Sequence, residues 1–426
     1  MNLFAAKYVQ LLRKFLVVLA ILAALTGTAV SQDEFALREG DRVVFYGDSI
    51  TDQRHYTSFV ETYVVTRFPK LDVRFVHSGW GGDRVTGGGG GPIDVRLWRD
   101  VLPYDPTVVT IMLGMNDGRY RAFDQEVFDT YANGFQHIVE ILKRQLPGVR
   151  ITAIQPSAYD DVTRDPNFDG GYNKVLIRYG EFLGELAAKE QLGLADFNTP
   201  LVDVLRKANT ADAAAAARLI RDRVHPGRQI ALVMAKALLK SWNAPAIVTE
   251  VEIDAARKAV NTAVNTQVAD IREKNGLAWT QTDQALPMPV SSEDPLVALV
   301  LKSSDFTAAL NLQPLRVKAL ANGNYRLRID EEDLGTFSAG DLASGINLAE
   351  ISTPMARQAA NVHEITLQHT AIHNARWRQL QVPLQKNQSA ELLDALGALD
   401  QLEATLIRDQ RAAAQPRMRR FQLSPE

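Results

Sequence analysis

The sequence predicts an α/β fold with a mostly parallel sheet, and three observations carry that prediction. Apolar strand-like runs alternate with helix-like segments from Asp41 to about Trp242. The links between them are short, as in βα units. The residues that bear chemistry fall just past the ends of the strand-like runs, where open α/β sheets bind ligands.

The strand-like runs are Val43–Tyr46, Val73–Val76, Val108–Leu113, Ile151–Ile154 and Leu194–Phe197. Each is short, and all but the last are rich in β-branched residues, which is how buried parallel strands read. Helix-like segments lie between and after them at Tyr56–Phe68, Ile93–Val101, Gln125–Gln145, Tyr172–Glu190 and Gln229–Trp242. In the third, Val127, Tyr131, Phe135, Ile138, Ile141 and Leu142 keep the three-and-four spacing of a helix with one buried face. Pro147-Gly148 ends it.

Asn243-Ala244-Pro245-Ala246 reads as a boundary. Beyond it we expect a small β-rich element over 246–352, with extended runs at Val248–Ile253, Leu296–Leu301, Leu315–Ala319 and Tyr325–Ile329. Turn signals at Asn275-Gly276 and Asn322-Gly323-Asn324 separate them. Over 353–426 we expect two long helices, Met355–Trp377 and Ala390–Arg411, with a break at Val382-Pro383. The second carries Leu392, Leu393, Leu396, Leu399, Leu402 and Leu406 on one face. Arg417, Arg419 and Arg420 read as a solvated basic end.

Residues 1–31 read as a secretory signal peptide. Lys7, Arg13 and Lys14 precede an uncharged apolar run, Phe15–Leu25, and the small residues Thr28-Ala29-Val30-Ser31 follow. The run is short for a membrane span of about 20 residues. The expectation is an exported protein, periplasmic or secreted, with no stable span once the signal is removed; a retained anchor is the alternative. At 426 residues, 46% hydrophobic and 23% charged, the chain has the composition of an ordinary globular protein. A formal net charge of −3 argues against nucleic acid as a partner. The absence of cysteine rules out disulfides, a cysteine nucleophile and thiolate metal sites.

Four motifs carry candidate chemistry. Ser49 follows the first strand-like run in Gly47-Asp48-Ser49-Ile50. Gly82 lies in His77-Ser78-Gly79-Trp80-Gly81-Gly82-Asp83-Arg84, ahead of Thr86 and the glycines Gly87 to Gly91. Glycines there let a backbone N–H approach a ligand, and no Gly-Lys-Ser/Thr follows to make a phosphate loop. Asn116, in Gly114-Met115-Asn116-Asp117, offers an amide donor of the kind used in oxyanion holes. Asp222-Arg223-Val224-His225 places a carboxylate three residues before a histidine, close enough to orient it if the loop curls. The loop Gln155–Asp161 borders the same crevice and could shape a pocket.

Together these motifs resemble the GDSL/SGNH hydrolase superfamily, over roughly residues 41–243. Gly-Asp-Ser-Ile stands for the more usual Gly-Asp-Ser-Leu, and His77 stands where many members carry asparagine. The resemblance implies a three-layer α/β/α sandwich on a five-stranded flavodoxin-like sheet, a hydrolase unit over 36–243. It implies a serine esterase with Ser49, Asp222 and His225 as catalytic triad. The oxyanion hole would be the N–H groups of Ser49 and Gly82 and the Asn116 amide, with Asp48 and Asp117 bracing their turns. No metal or organic cofactor is implied. The expected substrate is a small acyl ester, O-acetyl or another short chain, possibly on a glycan. A lysophospholipase or short-chain lipase is the alternative, as is a non-catalytic carbohydrate-binding scaffold. No Gly-x-Ser-x-Gly elbow is present, since Thr336 stands at the first glycine of the nearest match. His363, His369 and His373 share one predicted helix and are read as a polar or interdomain face rather than a metal site.

Overall fold

Five parallel strands make the central sheet of the computed structural model, which describes residues 34–426 apart from 274 and 388. The expected signal peptide lies outside the described residues. The strands are β1 (Arg42–Gly47), β2 (Arg74–Gly79), β3 (Val108–Met112), β4 (Arg150–Gln155) and β5 (Gly193–Asp196). Their order, β2-β1-β3-β4-β5, is the flavodoxin-like one. Four of the six β1 residues and all of β3 are apolar or Thr and fully buried, as a sheet covered on both faces requires. The strand order reverses at β1, so its carboxyl end opens onto the crevice.

Helices α1 (Ser49–Asp52) and α2 (His55–Arg67) follow β1, and α3 (Ile93–Asp100), α4 (Gln125–Gln145), α5 (Gly171–Glu190), α6 (Asn198–Ala211) and α7 (Ala231–Ser241) follow later strands. Asp124 caps α4 by accepting the Val127 N–H at 3.1 Å. Its buried residues include all six expected from the spacing. Helix α2 differs from the others, because every residue from Tyr56 to Arg67 is buried. One side lies on the sheet and the other is covered by the C-terminal part of the chain. Arg67 donates to the carbonyls of Pro245, Ile247 and Leu310, and the Thr66 carbonyl accepts the Leu286 N–H.

Residues Leu37–Glu426 form one compact unit. Beyond α7, strands β6 (Glu250–Asp254), β7 (Ala259–Val264), β8 (Thr266–Glu273) and β9 (Leu277–Asp283) are followed by α8 (Pro295–Ser303) and α9 (Phe306–Leu310). Then come β10 (Pro314–Lys318), β11 (Asn324–Ile329), β12 (Glu332–Ser338), α10 (Ala339–Ser344), β13 (Ile346–Asn347), α11 (Pro354–Asn374), α12 (Ala390–Ala414) and β14 (Met418–Pro425). One sheet runs β8-β9-β14-β11-β12 and another β13-β10-β6-β7. Their inner faces share a core that includes Ile253, Trp279, Leu315, Leu327, Phe421 and Leu423.

Four expectations from the sequence change here. Leu296–Leu301 is helical, not extended: Asp294 caps α8 through the Leu296 N–H at 2.8 Å and Pro295 occupies its first turn. Residues 417–420 are no free basic end. Strand β14 pairs with β9 and β11, burying Phe421 and Leu423 in alternation, and Arg419 pairs with Asp330 at 2.9 Å. Val382-Pro383 does not interrupt the first long helix. It continues as a π-helical segment, Ala375–Gln381, and one further α turn, where Pro383 needs no donor. The leucine stripe of α12 is only partly a packing face, with Leu396 buried but Leu393 and Leu402 at 55% and 44% exposure.

Candidate active site

The site is built at the carboxyl end of β1. Gly47 ends the strand, and a Cβ there would lie 2.3 Å from Thr51 Oγ1 and 2.7 Å from the Met112 carbonyl, so only glycine fits. Asp48 then caps α1, its Oδ1 accepting the Ile50 N–H at 2.9 Å, and the chain turns sharply enough to raise Ser49. The Ser49 hydroxyl stands 2.8 Å from His225 Nε2. On the far side of the ring, His225 Nδ1 donates to Asp222 Oδ2 at 2.6 Å. Asp222 Oδ1 also accepts the N–H groups of Val224 (3.0 Å) and His225 (2.8 Å), which is the curl the loop needed. Burial raises the Asp222 carboxyl, but these donors outweigh it and hold it below its ordinary range. Arg223 makes the curl with a left-handed backbone, φ 70°.

Gly82 and Asn116 face the same crevice edge. The Trp80 N–H donates to the Gly47 carbonyl at 2.9 Å, tying the glycine loop to the nucleophile turn. Gly82 sits at φ +77°, a conformation that glycine adopts without strain. The Asn116 amide donates to the Asp83 carbonyl at 3.0 Å, and its Oδ1 accepts the Tyr120 hydroxyl at 2.8 Å. That orientation points the amide nitrogen toward the Gly82 loop and leaves its second hydrogen for another acceptor. Asp117 accepts the Val85 N–H at 2.9 Å, bracing the same loop. Of the five residues singled out from the sequence, Ser49, His225 and Asp222 therefore form one hydrogen-bonded series, and Asn116 is bonded to the residue that follows Gly82.

Two supports were not legible in the sequence. The Asp160 N–H donates to the Arg223 carbonyl, and Asp160 pairs with Arg164 at 2.8 Å. Arg164 in turn donates to the carbonyls of Ala217, Ile220 and Arg221, anchoring the loop that carries Asp222 and His225. Tyr120 is the second, through Asn116. The only available signal was an acid and an arginine four apart in a loop.

The histidines of α11 lie elsewhere, buried against α2. His369 Nε2 meets Glu61 at 2.6 Å, and His363 meets the Thr62 hydroxyl at 2.7 Å. His373 lies 3.4 Å from Glu403. Among the described residues, no group of three or more His, Asp or Glu side chains is arranged to hold a metal ion. A cleft of about 740 Å³ opens between α8, α9 and Asn347, lined by Lys302, Asp305, Phe306 and Glu350 among others. None of Ser49, Gly82, Asn116, Asp222 and His225 lines it.

The model of the GDSL-like lipase/acylhydrolase family matches residues 45–231. Among solved structures, a gut microbial diltiazem-metabolizing enzyme, BT4096, is similar at 27% identity and a TM-score of 0.79, over 92% of this chain and 98% of its own. An acetylxylan esterase from Geobacillus stearothermophilus aligns at 23% identity and a TM-score of 0.41, over 49% of this chain and 96% of its own. The acetyl xylan esterase AlAXEase aligns at 21% and 0.37, over 47% and 98%. No curated protein matches the chain.

Proposed function

We propose that this chain, whose residues 45–231 match the GDSL-like lipase/acylhydrolase family, is a carboxylic ester hydrolase that removes small acyl groups, O-acetyl or similar, through an acyl-enzyme on Ser49. The observation that carries the reading is the continuous series Ser49 Oγ, His225, Asp222 at 2.8 and 2.6 Å. In this mechanism His225 Nε2 takes the Ser49 proton as Oγ attacks the ester carbonyl. Asp222 fixes the tautomer and stabilises the imidazolium. The N–H groups of Ser49 and Gly82 and the Asn116 amide receive the oxyanion. His225 gives its proton to the leaving alcohol. Water, deprotonated by the same imidazole, then attacks the acyl carbon and frees the carboxylic acid.

Purified protein should release p-nitrophenol from p-nitrophenyl acetate, and Ser49→Ala should reduce turnover to background. Equal activity of the two proteins would remove the assignment. We read residues 36–243 as the catalytic unit, with 246–352 and 353–426 packed onto it. A glycan-borne ester is favoured by the open glycine-rich crevice and by the export expected from residues 1–31. Acetate release from acetylated polysaccharides, compared with longer acyl chains, lysophospholipid and diltiazem, separates the substrate classes. Among the described residues no helix is long and apolar enough to cross a membrane. N-terminal sequencing of the exported protein tests cleavage near Ser31.

A further inference from the structure

The chain that closes around the oxyanion loop comes from the far end of the sequence. Trp377, in the π-helical segment after α11, is 1% exposed, and its indole N–H donates to Asp100 Oδ1 at 2.6 Å. Its ring meets Trp80 edge-on at 5.8 Å. Asp100 is paired with Arg96, and Arg96 Nε donates to Asp83 Oδ2 at 2.6 Å, with all three side chains buried. Asp83 is the residue whose carbonyl holds the Asn116 amide, and Gly82 stands between it and Trp80–Gly81. Arg378, half-buried, lies over the Trp80 ring, beside the guanidinium groups of Arg96 and Arg99 at 5.1 Å from the same ring. Gly90 closes the other approach: a Cβ there would come within 2.7 Å of the indole.

Three features of this arrangement bear on chemistry. First, the loop 80–83 is fixed at both ends, by the Gly47 carbonyl on Trp80 N–H and by Arg96 on Asp83. Second, Trp377 and Arg378, which pack on the Trp80 side chain at the start of the loop, lie outside residues 45–231. Third, Asp100 Oδ1 accepts both the Trp377 indole and Arg99 Nε, while Oδ2 takes Arg96 and the other arm of Arg99, so losing the indole removes one of the donors that fix a carboxylate shared with Arg96. An oxyanion donor is effective only while its N–H is held at the position where charge develops.

We propose that Trp377, with Arg378, is a positioning residue for the oxyanion hole: the C-terminal helix sets the Gly82 N–H and the Asn116 amide through Trp80, Asp100, Arg96 and Asp83. This rests on the esterase reading of Ser49. It predicts that the C-terminal part acts on turnover itself, without touching substrate.

The test uses the full chain, with p-nitrophenyl acetate as substrate and active sites counted by burst titration. Trp377→Phe keeps a ring and removes the indole donor. It should lower kcat per titrated site about tenfold, short of the 10²–10³ lost with a whole donor, and leave KM within about twofold. Arg378→Ala should lower kcat less, and Arg378→Lys should restore part of it. In Trp377→Phe/Asn116→Ala the losses should fall short of multiplying, because both act through one loop. Arg378 is half-buried, so its pair of variants carries the test if Trp377→Phe does not fold. Unchanged kcat in both positions, or losses that multiply fully with Asn116→Ala, would overturn the proposal while leaving the esterase reading intact. A wild type without Ser49-dependent turnover would remove the esterase reading, and this proposal with it.

Discussion

Two carboxyl groups beneath the nucleophile are kept from ionising easily. Burial pushes Asp48 up to about 8 and Asp117 to about 7, against backbone donors that pull the other way. One oxygen of each accepts an N–H, from Ile50 and Val85, while Asp48 Oδ2 and Asp117 Oδ2 have no partner. The folded chain therefore holds the Asp117 proton more tightly than the unfolded chain does, so rising pH destabilises the fold between about 4 and 7. Asp117→Asn keeps the acceptor for Val85 and cannot ionise. Its unfolding free energy relative to wild type, from urea titration, should rise across that window and level off above it, by an amount on the order of a few kcal/mol at most. A difference that does not change with pH would contradict this assignment. Ser49, Gly82, Asn116, Asp222 and His225 could be picked out as candidates from the sequence because each sits in a short local motif. Tyr120 and Arg164 were not, since what they hold is fixed by residues 4 to 57 positions away.

Elements were legible where periodicity and packing agreed. Strands β1, β3 and β4 and helix α4 read correctly because one burial pattern dominates each. Leu296–Leu301 did not: a short apolar run fits a buried strand or a helix equally, and Asp294-Pro295 decided for the helix. Strand β14 was hidden by its arginines, although Phe421 and Leu423 alternate with Arg420 and Gln422. Its central place in a five-stranded sheet makes it costly to disturb. Phe421 is 1% exposed and stacks on Trp279 at 5.1 Å. Phe421→Ala should destabilise by about 3–5 kcal/mol in urea titration. Met418, 58% exposed on the same strand, should tolerate alanine within about 0.5 kcal/mol. Similar losses from the two would mean that β14 contributes little to the sheet.

At the scale of the molecule, α2 is the beam on which both halves rest. Glu61 accepts from His77 (3.0 Å), His369 (2.6 Å) and Gln410 (2.8 Å), so β2, α11 and α12 converge on one buried carboxylate. Burial would raise Glu61 and Glu403, but the imidazoles outweigh it, lowering Glu61 well below its ordinary value and Glu403 to about 2. Burial likewise would lower His369, yet the two carboxylates raise it to about 9. His77 moves the other way, since for it burial wins. His373 and Arg411 face the same cluster from α11 and α12. The carboxylates stabilise above about pH 4.5 and lose this as pH falls; the His369 contribution is complete below about 6.5 and is lost as pH rises through about 9. Thermal stability should therefore fall from about pH 6.5 to 9, and His369→Gln should flatten that limb. An equally steep decline in the variant would place the charge elsewhere. The histidines of α11 were legible as a polar or interdomain face, but their partners were not, because members of the network are separated by up to 349 positions.

That separation also orders events during synthesis. Helix α2 leaves the ribosome among the first folded elements, yet the partners of Glu61 on α11 and α12 follow only after some 300 further residues. Strand β14 is made after every strand it joins. Pairings of such high contact order form slowly, after the loops between them have closed. Until α11, α12 and β14 have been made, Glu61 lacks two of its three donors and the sheet that β14 joins lacks its middle strand.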